Sequence, residues 1–207
     1  MNRKILIGFG IVTIALFLAR LEVTPFEKVK VGDVIAPLFL QNIHGVNVEI
    51  PNSKTRWVHL QFRHFAGCPI CNLHLKSFVD RYSDIKGAGI QEVVVFHSPV
   101  ESLLPYQGLF PFEVIADPKK KLYSQFGVGS SIFSLLDVRA WPAIVKGNLQ
   151  KDKPTGGLEG GPLGLPADFL IDRNGKVIAD HYGRYADDQW RVDELLAFVQ
   201  LKEPYAK

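Results

Sequence analysis

The stretch "RHFAGCPICNLHL", residues 63–75, contains Cys68 and Cys71, the two cysteines of this 207-residue chain. The stretch before it, "TRWVHLQF", is apolar and rich in β-forming side chains at Trp57, Val58, Leu60 and Phe62, so it predicts a buried strand that runs directly into the cysteine turn. From Pro69 to about Ile85, apolar side chains recur at helical spacing. The stretch therefore predicts a strand, a turn with two thiols and a helix.

Strands and helices alternate on both sides of this stretch. "APLFLQNIHGVNVEI" predicts a hairpin that turns at His44–Gly45, and "ADFLIDRNGKVIADHYG" predicts a second hairpin with an Asn-Gly turn. "IQEVVVFHS" and "FEVIADP" predict strands, "KKKLYSQFGV" a short helix and "WRVDELLAFVQL" a final amphipathic helix. This order predicts an α/β sandwich with an N-terminal β-hairpin. Residues 128–165, in which Pro142 should break or restart a helix before a glycine-rich loop, are predicted to be an insertion before the final hairpin.

The N-terminus predicts export or membrane attachment. After "MNRK" the residues Ile5–Ala19 carry no charge, and basic residues before an apolar run are typical of a secretory signal. Most membrane-spanning helices need about 17–25 apolar residues, so the run is short. We predict a signal-anchor in residues 1–23, a tether in 24–33 and one domain in 34–205, located in the periplasm or outside the cell. Secretion after signal cleavage and a buried first helix of a soluble domain are the alternatives.

The spacing of the two cysteines favours redox chemistry. A thiolate is the attacking species in disulfide and peroxide reactions, and Cys68 is predicted at the N-cap of a helix that Pro69 begins. Unpaired N–H groups and the helix dipole favour an anion there, which predicts a lowered pKa for the Cys68 thiol. Arg63 and protonated His64 would add to this effect, and Gly67 would leave the approach to the sulfur open.

Cys71, one turn into the helix, is predicted to be the shielded thiol that resolves a mixed disulfide or sulfenic acid on Cys68. A purely structural disulfide is the alternative, although so small a loop gains little from closure. Zinc or copper bound by both cysteines with His64 and His74 is a third possibility. We assign no metal ligand, because His74 is more simply interpreted as a solvated helix residue.

The motifs "FRHFAGCPIC", "FPFEVIADPKKKLYSQFGV" and "LPADFLIDRNGKVIADHYGRYADD" resemble the peroxiredoxin-like branch of the alkyl hydroperoxide reductase C / thiol-specific antioxidant (AhpC/TSA) family. The resemblance covers about residues 30–205 and implies a thioredoxin-like three-layer sandwich with a central mixed sheet. It also implies that Pro166 is a cis-proline facing the cysteine pair. Two positions depart from common peroxiredoxins, with Phe65 in place of a threonine and Pro166 in place of an arginine. Arg63, His64 and Arg184 are the candidates to replace them.

These observations together predict a thiol–disulfide oxidoreductase with Cys68 as nucleophile and Cys71 as resolving thiol. A thiol-dependent peroxidase is the alternative, and a copper-handling module is a third class. The predicted partners are a protein or small-molecule disulfide or peroxide, a thiol electron donor and the membrane. Neither nucleic acid nor a cofactor is predicted, since the net charge of +3 is small and no phosphate-binding motif occurs.

Overall fold

A computed structural model of the protein describes residues 27–129, 138–149 and 164–202. Their strands are β1 Leu38–Gln41, β2 Asn47–Ile50, β3 Trp57–Arg63, β4 Ile90–Phe96, β5 Glu113–Ala116, β6 Ala167–Asp172 and β7 Val177–Tyr182. Their α-helices are α1 Pro69–Asp80, α2 Tyr82–Gly87, α3 Val100–Gln107, α4 Lys121–Gln125, α5 Trp141–Asn148 and α6 Val192–Lys202. The predicted α/β architecture is confirmed.

Strand β3, which leads into the cysteine turn, is the centre of a five-stranded mixed sheet with the order β5-β4-β3-β6-β7. It pairs in parallel with β4 and antiparallel with β6. Every residue of β3 is buried, including the polar His59, Gln61 and Arg63, which agrees with its central position in the sheet. The cysteine turn therefore lies at the C-terminal end of the central strand, between the layers that cover the two faces of the sheet.

Both faces of the sheet are covered, which makes the three layers. On one face α1 and α6 contribute Phe78, Leu195 and Val199 to a core that also contains both cysteines. On the other face the β1–β2 hairpin and α4 pack against Leu60 and Phe62. Side chains of a strand alternate between faces, so consecutive residues of β3 feed two separate cores.

The helix after the cysteines is shorter than predicted. Helix α1 ends at Asp80, because the backbone of Arg81 leaves the helical region with φ −114° and ψ 22°. The side chain of Arg81 then pairs with Asp84 in the separate helix α2. The single helix predicted to reach about Ile85 is thus two helices, and apolar spacing alone did not reveal the break.

Helix α3 was not predicted from the sequence. It contains Pro105, which argues against a helix interior, and only Leu103 and Gln107 are buried along it. Two turns with so few buried side chains leave a weak periodic signal.

Part of the predicted insertion is helical and packs on the domain. Helix α5 begins at Trp141 with Pro142 in its first turn, so the proline restarts a helix as predicted. It packs against α1, and Ala140 and Ala143 join the core that contains the cysteines. The glycine-rich stretch from 150 to 163 lies outside the described residues.

The described part of the predicted tether, residues 27–33, is fixed to the edge of the sheet. The Gly32 N–H donates to the Val177 carbonyl at 2.9 Å, and the Tyr182 hydroxyl donates to the Val29 carbonyl at 3.0 Å. Among the described residues, no helix is long and apolar enough to span a bilayer. The apolar run Ile5–Ala19 lies outside them.

Candidate active site

Three buried side chains meet at the start of α1. The sulfur atoms of Cys68 and Cys71, both free thiols, lie 2.7 Å apart. The Nδ1 atom of His64 is 3.3 Å from the Cys71 sulfur and 3.6 Å from the Cys68 sulfur. Cys68 is 4% exposed and Cys71 1% exposed. The structure therefore brings together both predicted thiols and His64, one of the two residues whose positive charge was predicted to support the thiolate.

Local hydrogen bonds explain how the turn holds Cys68. Its N–H donates to the Phe65 carbonyl at 3.0 Å, which closes the turn, and its sulfur accepts the N–H of Cys71 at 3.3 Å. Cys68 is thus the N-cap of α1, and Pro69 occupies the first turn as predicted. Gly67, expected to leave an open approach, is itself buried in this turn.

Three polar residues that the sequence analysis missed hold the same loop from outside. Gln107 donates to the Ala66 carbonyl at 3.1 Å and to the Asn72 side chain at 2.7 Å. Asn72 in turn donates to the carbonyls of Ala66 and Cys68 at 2.8 and 2.9 Å. The hydroxyl of Ser98 accepts the Ala66 N–H at 3.0 Å. Gln107 and Ser98 are remote in sequence, so only the fold reveals their role.

His64 is oriented by a backbone carbonyl. Its Nε2 donates to the carbonyl oxygen of Gly164, and Nδ1 faces the two sulfurs. Because a carbonyl can only accept, the proton lies on Nε2 and a neutral His64 leaves Nδ1 free to accept a proton. Burial lowers the pKa of His64, but the negative charge on Cys71 and the bond to Gly164 outweigh burial, so the pKa is raised.

The two thiols share one negative charge. Burial raises the pKa of Cys71, but the hydrogen bond from the Cys68 thiol and the charge of His64 reverse this effect and hold the pKa well below its ordinary value. Burial and the proton shared with Cys71 raise the pKa of Cys68 well above its ordinary value. The prediction of a lowered pKa for Cys68 is therefore wrong in this arrangement, since burial and the adjacent sulfur outweigh the helix N–H groups.

Arg63 points away from the sulfurs into the layer between the sheet and α1. Among the described residues, its guanidinium contacts Asp168 at 2.6 Å, His74 Nε2 at 3.2 Å and Gln61. Its charge lowers the pKa of His64 through space. Arg63 was predicted from the sequence to support the thiolate. Among the described residues, its guanidinium forms no hydrogen bond with either sulfur.

Two further predicted residues lie elsewhere. Arg184 is 76% exposed in its side chain and bonds to Asp188 at the end of β7.

The only cis peptide bond among the described residues is Ile50–Pro51, so the bond before Pro166 is trans and the prediction of a cis-proline is wrong. From this segment it is the carbonyl of Gly164 that reaches the site. A glycine in a glycine-rich stretch carried no signal for that contact.

His74 is a buried residue, which corrects the prediction of a solvated one. Its ring packs 4.8 Å from that of Phe78 and accepts a hydrogen bond from Arg63, so it does not join the sulfurs.

Without His74, the candidate metal site consists of His64, Cys68 and Cys71, whose donor atoms lie within 4.8 Å of one another. Tetrahedral zinc, with Zn–S bonds of about 2.3 Å, keeps its sulfurs roughly 3.7 Å apart. The 2.7 Å separation is shorter than this and lies inside the van der Waals contact of two sulfurs, which suits a pair of thiols that close a disulfide.

Beneath the site, five side chains form a closed polar ring that we call the buried ring: Arg63, Asp168, His59, Glu92 and Gln61. His59 lies between the two carboxylates, with Nδ1 2.9 Å from Glu92 and Nε2 3.3 Å from Asp168. The ionised side chains of this ring are fully buried. With Arg63 and His59 protonated, two positive charges balance two negative ones, as buried charges require.

The buried ring predicts a loss of stability at alkaline pH. Burial lowers the pKa of His59, but Glu92 and Asp168 raise it to about 9. Protonation of His59 therefore adds stability that is complete below the unfolded-state pKa of about 6.5 and is lost as the pH rises through the folded-state value. We expect the free energy of unfolding to fall by about 3 kcal/mol across this window. Urea unfolding of the protein and of His59→Gln tests this, and parallel pH curves for the two would contradict it.

Solved structures with the same fold include proteins of two redox groups. Peroxidoxin BcpB from Mycobacterium tuberculosis superposes with a TM-score of 0.61 at 20% identity, over 83% of this chain and 97% of that one. A protein described as the thiol:disulfide interchange protein DsbE, from Chlorobium tepidum, gives 0.53 at 22% identity, over 84% and 99%. A peroxiredoxin-like protein from Aquifex aeolicus gives 0.60 at 16% identity, over 84% and 88%. These likenesses establish the thioredoxin-like fold.

Two adjacent thiols on this fold define a thiol-dependent oxidoreductase. The model of the AhpC/TSA antioxidant enzyme family matches residues 77–185, more than half of the chain, and the chain belongs to that family. A sequence search of the curated proteins finds no match. The matched segment begins after both cysteines, so the roles of the thiols depend on the geometry of the site.

Proposed function

We propose that the protein is a thiol–disulfide oxidoreductase in which Cys68 attacks and Cys71 resolves. The observation that supports this most is the 2.7 Å contact between the sulfurs at the start of α1. Thiols so close can close an intramolecular disulfide with small movements of the side chains. Cys68 is the attacking sulfur because it caps the helix and is the more exposed of the two.

A thiol-dependent peroxidase is the second candidate, and membership of the AhpC/TSA family favours it. The side chains around the thiols favour exchange. Phe65 stands where common peroxiredoxins carry a threonine, and Pro166 where they carry an arginine. The nearby Arg63 is committed to Asp168 in the buried ring, so it is not available to polarise a peroxide.

A parallel assay on the full chain separates the two activities. The reduced protein is given hydrogen peroxide in one arm and a protein disulfide such as insulin in the other, with oxidation of the thiols followed by alkylation. We expect fast oxidation by the disulfide and a peroxide rate constant close to that of a free thiol. Fast oxidation by peroxide alone would reject exchange in favour of the peroxidase.

We also propose that residues 1–23 attach the domain to a membrane, with the domain in the periplasm or outside the cell. Arg3 and Lys4 before the apolar run Ile5–Ala19 support this orientation. We expect the full chain to resist alkaline extraction from membranes and a chain that begins at residue 24 to be released. Release of both forms would contradict membrane attachment.

A further inference from the structure

We propose that His64 is the acid–base catalyst of thiol–disulfide exchange at this site and that the carbonyl of Gly164 is the group that positions it. The inference rests on the proposed function and adds a catalytic residue to it. The sequence predicted only a supporting charge for His64, and the family match begins at residue 77, after this histidine.

The geometry gives His64 one nitrogen for each task. Nε2 is engaged by the Gly164 carbonyl, so the ring is held in one orientation with Nδ1 toward the sulfurs. Nδ1 is within 3.6 Å of both sulfurs, which is a distance over which protons transfer to and from sulfur. The His64 carbonyl also accepts the N–H of His97 at 3.1 Å, so the backbone of His64 is anchored at the end of the sheet.

In the first half of the reaction, the reduced site starts with a thiol on Cys68, a thiolate on Cys71 and a protonated His64. The proton of Cys68 passes to Cys71, and the Cys68 thiolate attacks one sulfur of the substrate disulfide. The substrate S–S bond breaks, a Cys68–substrate disulfide forms, and the leaving thiolate takes the proton from His64. Neutral His64 then faces the Cys71 thiol.

In the second half, Nδ1 of neutral His64 takes the proton of Cys71, which is 3.3 Å away. The Cys71 thiolate attacks the Cys68 sulfur, the mixed disulfide breaks, and the second leaving thiolate takes the proton back from His64. The substrate gains two electrons and two protons, and the protein is left with a Cys68–Cys71 disulfide and neutral His64. The same steps in reverse describe oxidation of a dithiol.

Other titratable groups surround His64, and their charges contribute to any pH profile of the site. Cys68 and Cys71 face it from α1 and the preceding turn, and Arg63 lowers its pKa from β3. His97 follows β4, and its ring packs 5.7 Å from that of Tyr123 on α4. The Tyr123 hydroxyl donates to the Arg63 carbonyl, and its burial raises its pKa well above the ordinary value, so it stays protonated in the neutral range.

Gly164 allows the positioning contact to be tested without replacing His64. A Cβ at residue 164 would lie 3.0 Å from His64 Cδ2 and 3.3 Å from His97 Nε2, so alanine would displace the histidine ring. Gly129 is the matched control, because its carbonyl accepts the N–H of the adjacent Leu165 while a Cβ at residue 129 would meet nothing within 4 Å.

The experiment measures two pH profiles on the full chain: the alkylation rate of the reduced thiols, and the single-turnover rate with oxidised glutathione. We expect His64→Asn to move the first alkylation inflection upward toward the free-thiol value of about 8.5 and to slow exchange at neutral pH by about a hundredfold. Gly164→Ala should move both in the same direction by less, and Gly129→Ala should match the unmodified protein. Equal thermal midpoints for all the variants will exclude a purely structural effect.

The outcomes separate this inference from the proposed function. Exchange by the unmodified protein, with His64→Asn equal to it in rate and in both profiles, overturns the role of His64 and leaves the dithiol mechanism intact. Absence of exchange in the unmodified protein overturns the proposed function and this inference together. A shift in His64→Asn that Gly164→Ala lacks overturns the positioning role of Gly164.

Discussion

Replacement of Cys68 by serine is expected to abolish disulfide exchange, with a loss of about a thousandfold or more, because a serine hydroxyl is not ionised at neutral pH and cannot replace the thiolate. Cys71→Ser is expected to behave differently. Cys68 still attacks, but no second thiol lies 2.7 Å away to release the bound substrate. Mixed disulfides with substrate proteins should therefore accumulate, and non-reducing electrophoresis with mass spectrometry of the adducts will detect them.

The two cysteine variants control for each other, since each retains one thiol in the same buried site. Adducts that form through Cys71 in Cys68→Ser as readily as through Cys68 in Cys71→Ser would contradict the assigned order of attack. This test is sharp because the pKa of Cys71 is the lowered one of the pair, whereas Cys68 is the residue that caps the helix and is slightly more exposed. Exposure, not charge alone, is what we expect to select the attacking thiol.

Asp168→Ala is expected to destabilise the fold by about 3–5 kcal/mol, the range for removal of one partner of a buried ion pair. Asp168 is fully buried and accepts from Arg63 at 2.6 Å and from the Trp190 N–H at 3.3 Å. Although burial raises the pKa of Asp168, Arg63 and His59 hold it well below its usual range. Without this carboxylate, Arg63 and His59 are left as buried positive charges with only Glu92 to balance them.

Asp80→Ala is the matched control, because the Lys76–Asp80 pair on α1 is largely exposed and should change stability by no more than about 0.5 kcal/mol. Asp168→Asn removes the charge but retains the shape of the side chain, so it can be measured if the alanine variant does not fold. Urea unfolding curves provide the comparison. A loss for either Asp168 variant no greater than that for Asp80→Ala would show that the buried ring does not stabilise the fold.

Most strands were predictable because their patterns are local. The apolar run at β3, the Asn-Gly turn between β6 and β7 and the hairpin turn at His44–Gly45 each depend on neighbouring residues, and all are found in the structure. The cysteine turn was predictable for the same reason, since Cys68 caps the helix that Pro69 begins. Local steric and hydrogen-bonding preferences act within a few residues, and the sequence displays them directly.

Contacts between remote residues were not predictable. The prediction for His64 named a supporting charge, but its orientation depends on Gly164, which is 100 residues away. Arg63 looked like a partner of the thiolate until the pairing of β3 with β6 brought Asp168 beside it. His74 looked solvated, yet the packing of α1 on the sheet buries it.

The amino-acid sequence by itself determined the fold class and the place of the two thiols, because both follow from local periodicity and helix capping. The tertiary structure alone decided how close the two sulfurs lie, which nitrogen of His64 faces them and where Arg63 points. Electrostatic interactions depend on distance in space and on burial. Strand pairing and helix packing set both quantities, and residue order does not reveal them.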